Sequence, residues 1–267
     1  MAQHIRDLVT ALIRRMQSSQ ISGLKSSLLL IFARLVHMSV PLVEQFVDLL
    51  ASIPAEGYRN SFAYLMSEWT RHQGEVQGVY QIKVTATALA LLLLTRHVEL
   101  GNVNVQGHLI KSQAGITTRS RAKLMPDQWT VMLLPAKILA LLADALLEIQ
   151  EQVDGDNEDS DWEEVQNGDA GDDEDLLYSA DITSQNRPTY EYLDAMAKAF
   201  SKDQEDDYDD ELLSGADPLN EINLVNYLVE TLAKFSESDR PYFEHLFQNL
   251  TKPQQNAIEL VLKGRRT

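Results

Sequence analysis

The sequence of 267 residues contains no cysteine, and this absence excludes several kinds of site. Without thiols the chain has no disulfide, no thiolate-bound zinc and no cysteine nucleophile, which suits the reducing cytosol and nucleus. The longest apolar run, residues 86–94, is far shorter than the roughly 20 residues that cross a bilayer. The first residues also lack the basic start and apolar core of a signal peptide, so we expect no membrane insertion.

Motifs for catalysis and for cofactors are also missing. The six histidines are scattered, and neither metal-ligand spacing nor a nucleophile motif accompanies them: His4, His37, His72, His97, His108 and His245. There is no glycine loop for phosphate and no dinucleotide fingerprint. An EF-hand that starts at Asp154 would place Asp159 where glycine is required and Val165 where glutamate is required. We therefore expect no enzyme, no cofactor and no metal site.

The acidic residues, by contrast, are abundant and concentrated. Of the 40 Asp and Glu, 24 lie within residues 151–217, where only Arg187, Lys198 and Lys202 oppose them. That stretch has a formal charge of −21, whereas the rest of the chain has a charge of +4. The overall charge of −17 therefore belongs to one segment, and the sequence predicts an acidic insert on a nearly neutral body.

Outside that segment, apolar residues recur at helical spacing. The first such stripe consists of Ile5, Leu8, Val9, Leu12, Ile13 and Met16. Further helices are predicted over 22–38, from Pro41 in a first turn to Leu50, over 62–69 and over 79–94, and no alternating strand pattern competes with them. Helix pairs of about 40 residues start near His4, Pro41 and Gln77, which favours a HEAT or armadillo-type solenoid over an ordinary bundle.

These patterns divide the chain into five parts. We predict HEAT-type repeats over 1–100, a basic irregular loop over 101–126, a long helix over 127–153, a largely disordered acidic insert over 154–217 and a carboxyl-terminal helical repeat or cap over 218–267. The fold class is thus an all-α helical-repeat solenoid. Because an array that starts abruptly at Met1 would expose a neighbour-facing surface, we expect the chain to be part of a longer solenoid.

The acidic insert has two interpretations. It is either a solvated spacer or an acidic clamp whose carboxylates pair with lysine and arginine of a basic partner. The clamp would comprise Asp154, Asp156, Glu158, Asp159, Asp161, Trp162, Glu163, Glu164, Asp172, Asp173, Glu174 and Asp175. A second acidic patch would comprise Asp206, Asp207, Tyr208, Asp209, Asp210 and Glu211. Ser160, with acids on both sides, is either a phosphosite that strengthens the clamp or an unmodified serine.

The basic loop is the counterpart of the insert. Its cations Arg119, Arg121 and Lys123 have three interpretations: contact with the insert, contact with an acidic partner, or solvation. Direct binding of nucleic acid is not expected, because at a sequence pI near 4.7 the insert would repel phosphate more strongly than a few cations attract it.

Several segments together resemble the carboxyl-terminal part of importin-9-like karyopherin-β nuclear transport receptors. They are residues 42–54 (LVEQFVDLLASIP), 66–69 (MSEW), 80–84 (YQIKV), 118–121 (TRSR), 128–129 (QW), 134–139 (LPAKIL) and 217–224 (DPLNEINL). The resemblance implies a HEAT-repeat superhelix, import of basic cargo such as core histones and ribosomal proteins, a link to the Ran GTPase and shuttling between cytoplasm and nucleus. The family's principal Ran contacts belong to amino-terminal repeats that this sequence does not contain.

The resulting functional prediction is an import-receptor segment that binds basic cargo. Full transport in the family also requires nucleoporins, for which no local motif is present. Two alternatives remain from the residues themselves. One is an acidic chaperone that shields basic proteins without transporting them, and the other is a scaffold whose acidic stretch is a spacer.

Overall fold

The computed structural model describes residues 2–110, 128–158 and 217–264. The chain divides into two compact units. One comprises residues 1–154 with 222–267, and the other comprises residues 155–221. Nearly all of the described elements belong to the first unit, which is the helical body of the protein.

The described residues confirm a helical-repeat fold. The first six helices are α1 Ala2–Ser18, α2 Ser22–Met38, α3 Val43–Ala51, α4 Ser61–His72, α5 Val79–Thr95 and α6 Val98–Gly101, with a 3-10 turn at Gln73–Glu75. Four helices follow the hairpin described below: α7 Leu134–Glu158, α8 Leu224–Ser238, α9 Arg240–Phe247 and α10 Lys252–Gly264. A second 3-10 turn, Pro218–Glu221, precedes α8.

Several helices begin where the sequence supplies a capping side chain. Oδ1 of Asn60 accepts a hydrogen bond from the backbone N–H of Ala63 at the start of α4. Asn223 caps α8 and Asp239 caps α9 in the same way. Each cap satisfies an amide that has no partner within the helix, a contribution of about 1 kcal/mol.

Helix α5 lies at the centre of the body. It packs against α2, α3 and α8, so it is covered on more than one side. This explains why residues 84–93 are almost entirely buried and why the sequence there is apolar nearly all round. Each fully buried leucine contributes about 1.5–3 kcal/mol of hydrophobic stabilisation, so this helix is the main internal support of the fold.

Pro41 does not lie in the first turn of a helix, and that prediction is wrong. Helix α3 begins at Val43, with Leu42 at its N-cap. The N–H of Leu42 donates to the carbonyl of Ser39 at 2.6 Å, which closes a turn around the proline. Pro41 therefore lies in a turn between two helices.

A β-hairpin interrupts the helices and corrects two predictions. Strand β1, Asn104–Ile110, pairs antiparallel with strand β2, Gln128–Leu133. Residues 101–126 are therefore not irregular throughout, and the long helix does not include residues 127–133. The apolar run of β2 continues without a break into α7, and such a run does not by itself distinguish strand from helix. The helix starts at Leu134, whose N–H donates to the carbonyl of Val103 at 2.9 Å.

The hairpin contains a β-bulge on β1. Gly107 and His108 together oppose Thr130, because the pairing passes from Gln106 with Val131 to Leu109 with Trp129. Oγ1 of Thr130 accepts a hydrogen bond of 2.8 Å from the N–H of His108. The threonine side chain thus satisfies the amide that the extra residue removes from the ladder.

The boundary of the acidic insert also differs from the prediction. Helix α7 continues through Glu158, so residues 154–158 are helical and the insert starts later than Asp154. Adding a residue to an existing helix gains a backbone hydrogen bond, while like charges one turn apart cost only a few tenths of a kcal/mol. The predicted disorder of the insert concerns residues 159–216, which lie outside the described residues.

In the described ranges, every helix is too short or too polar to span a lipid bilayer.

Candidate functional site

The structure places the first three members of the predicted acidic clamp on one helix end. Asp154, Asp156 and Glu158 lie in the last residues of α7. The remaining clamp residues, the second acidic patch and Ser160 lie outside the described residues. These are Asp159, Asp161, Trp162, Glu163, Glu164 and Asp172–Asp175, together with residues 206–211. The clamp as a whole therefore remains a prediction.

The backbone of α7 adds to the negative field at this helix end. Unpaired carbonyls give the carboxyl end of a helix a partial negative charge of roughly half an electron. Basic residues, which usually offset this charge, are absent from the last turn of α7. The formal charges of Asp154, Asp156 and Glu158 in this part of the sequence have the same sign.

Both helices that border the acidic segment are tied into the body. On α7, Oδ1 of Asp144 accepts a hydrogen bond of 2.7 Å from Nε2 of Gln254 on α10. On the other side, α8 packs against α5, α9 and α10.

The predicted basic residues Arg119, Arg121 and Lys123 also lie outside the described residues, between β1 and β2. The hairpin that bears this segment is anchored to the body. Strand β1 packs against α4, and Nζ of Lys137 donates to the carbonyl of Gly107 at 3.4 Å. Burial lowers the pKa of Lys137, and the carboxylate of Asp144 partly offsets that shift. Desolvation is thus the larger of the two effects on this amine.

A cleft of about 390 Å³ opens where α5 ends and α9 begins. Its apolar wall includes Leu93, Val98 and Pro135, and its polar groups include Arg96, His97, Asn102, Asp239 and Tyr242. Burial raises the pKa of the Tyr242 phenol, and Asp239 adds to that shift while Arg96 opposes it. The phenol is therefore uncharged at neutral pH and acts as a hydrogen-bonding group rather than as a base.

A second cleft of about 530 Å³ lies between the starts of α2 and α5 and is lined mainly by serine, glutamine and threonine. An ion cluster around the buried carboxylate of Glu68 stabilises the same region. Nζ of Lys25 lies 2.6 Å from Oε2 of Glu68, and Nη1 of Arg71 lies 3.3 Å from Oε1. His72 approaches Glu68 at 3.7 Å and Glu75 at 2.8 Å. These contacts connect α2, α4 and the turn before α5.

The described residues contain no group of three or more His, Asp or Glu side chains placed to hold a metal ion. Four of the histidines make contacts within the body, among them His108, whose Nε2 lies 3.4 Å from the carbonyl of Asn249. His37 contacts the carbonyl of Val84 at 3.0 Å, and His97 contacts Asp48 at 3.0 Å while its Nδ1 accepts from the N–H of Glu99. His72 belongs to the ion cluster. These rings support helix packing and helix starts.

The sequence analysis missed the hairpin and its exposed surface. Trp69 is fully buried in the core, whereas Trp129 lies on β2 and is 44 % exposed. Along β2 only Met132 is buried, and the exposed residues include Gln128 and Thr130 as well as Trp129, Val131 and Leu133. The strand therefore lacks the alternating pattern by which a half-buried strand is recognised in a sequence.

The chain matches the family model described as "Importin-11-like, TPR repeats" over residues 2–249. It is 24 % identical over 259 residues to importin-9 of Drosophila melanogaster. This alignment covers 94 % of this chain and 23 % of that protein. Importin subunit beta-5 of Schizosaccharomyces pombe is 24 % identical over 165 residues, covering 60 % of this chain and 16 % of that protein. The Saccharomyces cerevisiae protein of the same name is 29 % identical over 140 residues, covering 46 % of this chain and 14 % of its own length.

The chain thus spans less than a quarter of the length of these curated relatives. The family match, however, includes most of the chain and extends across both the hairpin and the acidic segment. Paired helices packed around α5 are the architecture expected of such repeats. The chain belongs to the importin-11-like family, and with it to the importin-β karyopherins.

Proposed function

We propose that this chain is part of a nuclear import receptor, and that its acidic segment captures basic cargo such as core histones and ribosomal proteins. Membership in the importin-β karyopherins supports the transport role. The observation that carries the cargo class is the formal charge of −21 within residues 151–217, between two helices of the body. A partner rich in lysine and arginine is the one that this charge attracts most strongly.

The mechanism is electrostatic capture. Carboxylates of the clamp pair with lysine and arginine on the cargo, and they replace the phosphates or acidic surfaces that such cargo otherwise binds. The negative end of α7 reinforces the field, and Trp162 supplies an amphipathic anchor that a pure spacer does not need. Phosphorylation of Ser160 would add charge to the clamp and strengthen capture.

Other partners are proposed for the longer receptor. The GTP form of Ran would regulate cargo handling, nucleoporins would carry the complex through the pore, and the receptor would shuttle between cytoplasm and nucleus. Direct binding of nucleic acid is not part of this function, because the segment proposed to recognise cargo is strongly acidic.

The test is the affinity of a folded core histone dimer for the chain across a salt series. The variant replaces the clamp acids between Asp154 and Asp175 by Asn and Gln. We expect it to bind more than tenfold more weakly, about 1.4 kcal/mol, and with a flatter salt dependence. A control variant with Glu44, Glu56 and Glu148 replaced by Gln removes exposed acids from the body and should retain binding.

Equal binding by the parent chain and the clamp variant, or no binding by either, would identify the segment as a spacer and overturn the proposal. A third outcome distinguishes transport from chaperoning. If the chain binds the histone dimer tightly but does not raise its accumulation in the nuclei of permeabilised cells, the acidic chaperone is the better description. Neutralising residues 206–211 separately measures the share of the second acidic patch.

A further inference from the structure

We propose that Ser238 is a phosphorylation site whose phosphate is bound by the guanidinium of Arg96. Ser238 is the last residue of α8, and Arg96 directly follows the last residue of α5. A serine/threonine protein kinase supplies the phosphate, and the bound phosphate tightens the joint between the two helices. This inference concerns the helical body and does not rest on cargo capture by the acidic segment.

The hydroxyl of Ser238 lies where an enzyme can reach it. The residue is exposed, and it lies between the body of α8 and the start of α9 at Arg240. Asp239, which connects the two helices, is not helical, with φ of −155° and ψ of 83°. The ends of helices open locally more readily than their interiors, so this connection can present its serine to a kinase.

Arg96 already occupies the position that a phosphate requires. Its Nη2 donates a hydrogen bond of 2.6 Å to Oγ of Ser238, and its guanidinium lies 5.7 Å from the centre of the Phe235 ring. A guanidinium binds phosphate oxygens through two parallel hydrogen bonds, and such charge-assisted bonds are roughly twice as strong as neutral ones. Arg96 therefore makes a stronger contact with phosphoserine than with the hydroxyl.

The other charges at this joint are weaker. Phosphoserine carries a charge of about −1.5 to −2 at neutral pH, and Glu237 and Asp239, which flank Ser238 in the sequence, repel it. The Asp239 side chain is 43 % exposed, so water screens much of this repulsion. Ser238 also lies between the negative end of α8 and the positive end of α9, and these two helix ends oppose each other. The contact with Arg96 thus decides the outcome.

The modification needs only ATP and the kinase. A bond forms between Oγ of Ser238 and the γ-phosphorus of ATP, the bond from that phosphorus to the β,γ-bridging oxygen breaks, and ADP leaves. The hydroxyl proton passes to the catalytic base of the kinase and then to water. Ser238 must release its bonds to Arg96 and to the Phe235 carbonyl, 3.2 Å away, while it is in the kinase.

Ser18 provides a matched control. It is the exposed last residue of α1, and its Oγ donates to the carbonyl of Arg15 at 3.0 Å, three residues back, as Oγ of Ser238 does to that of Phe235. Among the hydrogen bonds of the described residues, none joins a guanidinium to the Ser18 hydroxyl. A phosphate on Ser18 therefore meets a negative helix end without a guanidinium already in place.

The first test asks whether Ser238 is modified. The full chain is incubated with ATP in a cytosolic extract, and its phosphorylated residues are mapped by mass spectrometry. We expect phosphate on Ser238. Phosphate on other residues only, such as Ser160, or on none, would overturn the assignment of the site. Histone binding by Ser238→Ala should equal that of the parent, which separates this test from that of the import function.

The second test asks whether Arg96 binds the phosphate. Phosphoserine is incorporated by codon suppression at position 238 or at position 18, in the parent and in Arg96→Gln. At position 238 it should raise the melting temperature of the parent by about 2–4 °C and lower that of Arg96→Gln, where only repulsion by Glu237 and Asp239 remains. At position 18 its effect should be the same in both chains.

Phosphorus NMR gives a readout that is independent of stability. A guanidinium in contact favours the dianion, so the second pKa of the phosphate at position 238 should be lower in the parent than in Arg96→Gln. The phosphate at position 18 should titrate identically in both chains. Identical titration at position 238, or the same change of melting temperature with and without Arg96, would overturn the proposal.

Discussion

The guanidinium of Arg96 donates a hydrogen bond of 2.6 Å to Oγ of Ser238, a residue 142 positions further along the chain. The same guanidinium lies 5.7 Å from the centre of the Phe235 ring and 3.9 Å from the carboxylate of Asp239. Asp239 in turn caps α9. One arginine at the end of α5 therefore joins the last residues of α8 and the first turn of α9, on the far side of the acidic segment in sequence.

Removing this side chain should destabilise the body. Arg96→Ala loses a charge-assisted hydrogen bond and a cation–π contact, and because Arg96 is partly exposed we expect a loss of about 1–2 kcal/mol. Urea unfolding measures this difference. Hydrogen exchange should show the increased opening first in the amides of α8 and α9, since these helices lose the contacts that the Arg96 side chain makes with them.

A second substitution at the same position distinguishes the loss of the side-chain contacts from the effect of the backbone conformation. Arg96 adopts a left-handed conformation with φ of 52°, which glycine tolerates better than other residues. Arg96→Gly should therefore be more stable than Arg96→Ala by about 1 kcal/mol, although both lack the guanidinium. If the two variants unfold at the same urea concentration, backbone strain at this position is negligible. If both match the parent, the contacts of Arg96 add no stability.

The ion cluster around Glu68 should be sensitive to the loss of one partner. Glu68 is only 3 % exposed, and Lys25 contacts it across two helices. We expect Lys25→Met to cost about 2–3 kcal/mol, less than for a fully isolated pair, because Arg71 still contacts the carboxylate. Replacing Glu68 by Gln in the same chain should recover part of that loss.

A double-mutant cycle on Lys25 and Glu68 measures their coupling directly. Strictly additive losses in the cycle would mean that the two groups do not interact in solution. The exposed pair formed by Arg240 and Glu244 provides the comparison, since its ions are 2.8 Å apart on the surface of α9. Its coupling should be no more than about 0.5 kcal/mol.

The helices were predictable because each signal was local. Apolar spacing places α2 over 22–38 in both the prediction and the structure, and Asn60, Asn223 and Asp239 cap helices by contacts within three residues. The hairpin was not predictable from the sequence. Its strands β1 and β2 are separated by 17 residues, so no tight-turn signal links them. Pairing across such a distance depends on tertiary packing against α4.

The candidate site was predictable in a different sense. The concentration of acids between residues 151 and 217 is a property of composition, so it can be read without any structure. The contacts of Arg96 with Ser238 and of Asp144 with Gln254 each join residues more than 100 positions apart. No sequence pattern marks such pairs, because they arise only when the repeats have packed.

Gly107 should be essential for the hairpin bulge. A Cβ atom at this position would lie 2.6 Å from Cγ of Met132 and would also overlap Oγ1 of Thr130. Gly107→Ala must therefore displace the side chains of Thr130 and Met132 on β2, and we expect a loss of about 1–3 kcal/mol. Gly23→Ala is the matched control, because nothing lies within 4 Å of its added Cβ and it lies in α2.

The control should gain about 0.5–1 kcal/mol from the higher helix propensity of alanine. Thermal unfolding measures the stability of both variants. The fluorescence of Trp129 reports on the conformation of β2. For that measurement Trp69 and Trp162 are replaced by Phe in every chain that is compared. Unchanged stability and unchanged fluorescence in Gly107→Ala would show that the bulge adapts to a side chain.

The last prediction concerns Tyr64, whose phenol is buried on α4. Burial raises the pKa of Tyr64 to about 12, and the nearby Glu68 and Tyr58 add to the shift while Arg71 opposes it. The folded state therefore holds the phenolic proton more tightly than the unfolded state, whose pKa is near 10. Stability from this group is complete below about pH 10 and is lost as the pH rises toward 12, because the folded state binds more protons in that window.

A chain with Tyr64→Phe cannot lose this proton, so its free energy of unfolding should fall less steeply in alkali. We expect the difference between the parent and Tyr64→Phe to shrink by on the order of 2 kcal/mol from about pH 9 to about pH 12. Urea midpoints across this range give the measurement, and Tyr58→Phe removes an exposed phenol from the adjacent ring as the control. Parallel pH curves for the parent and Tyr64→Phe would mean that the phenol of Tyr64 reaches solvent more readily than its packing on α4 implies.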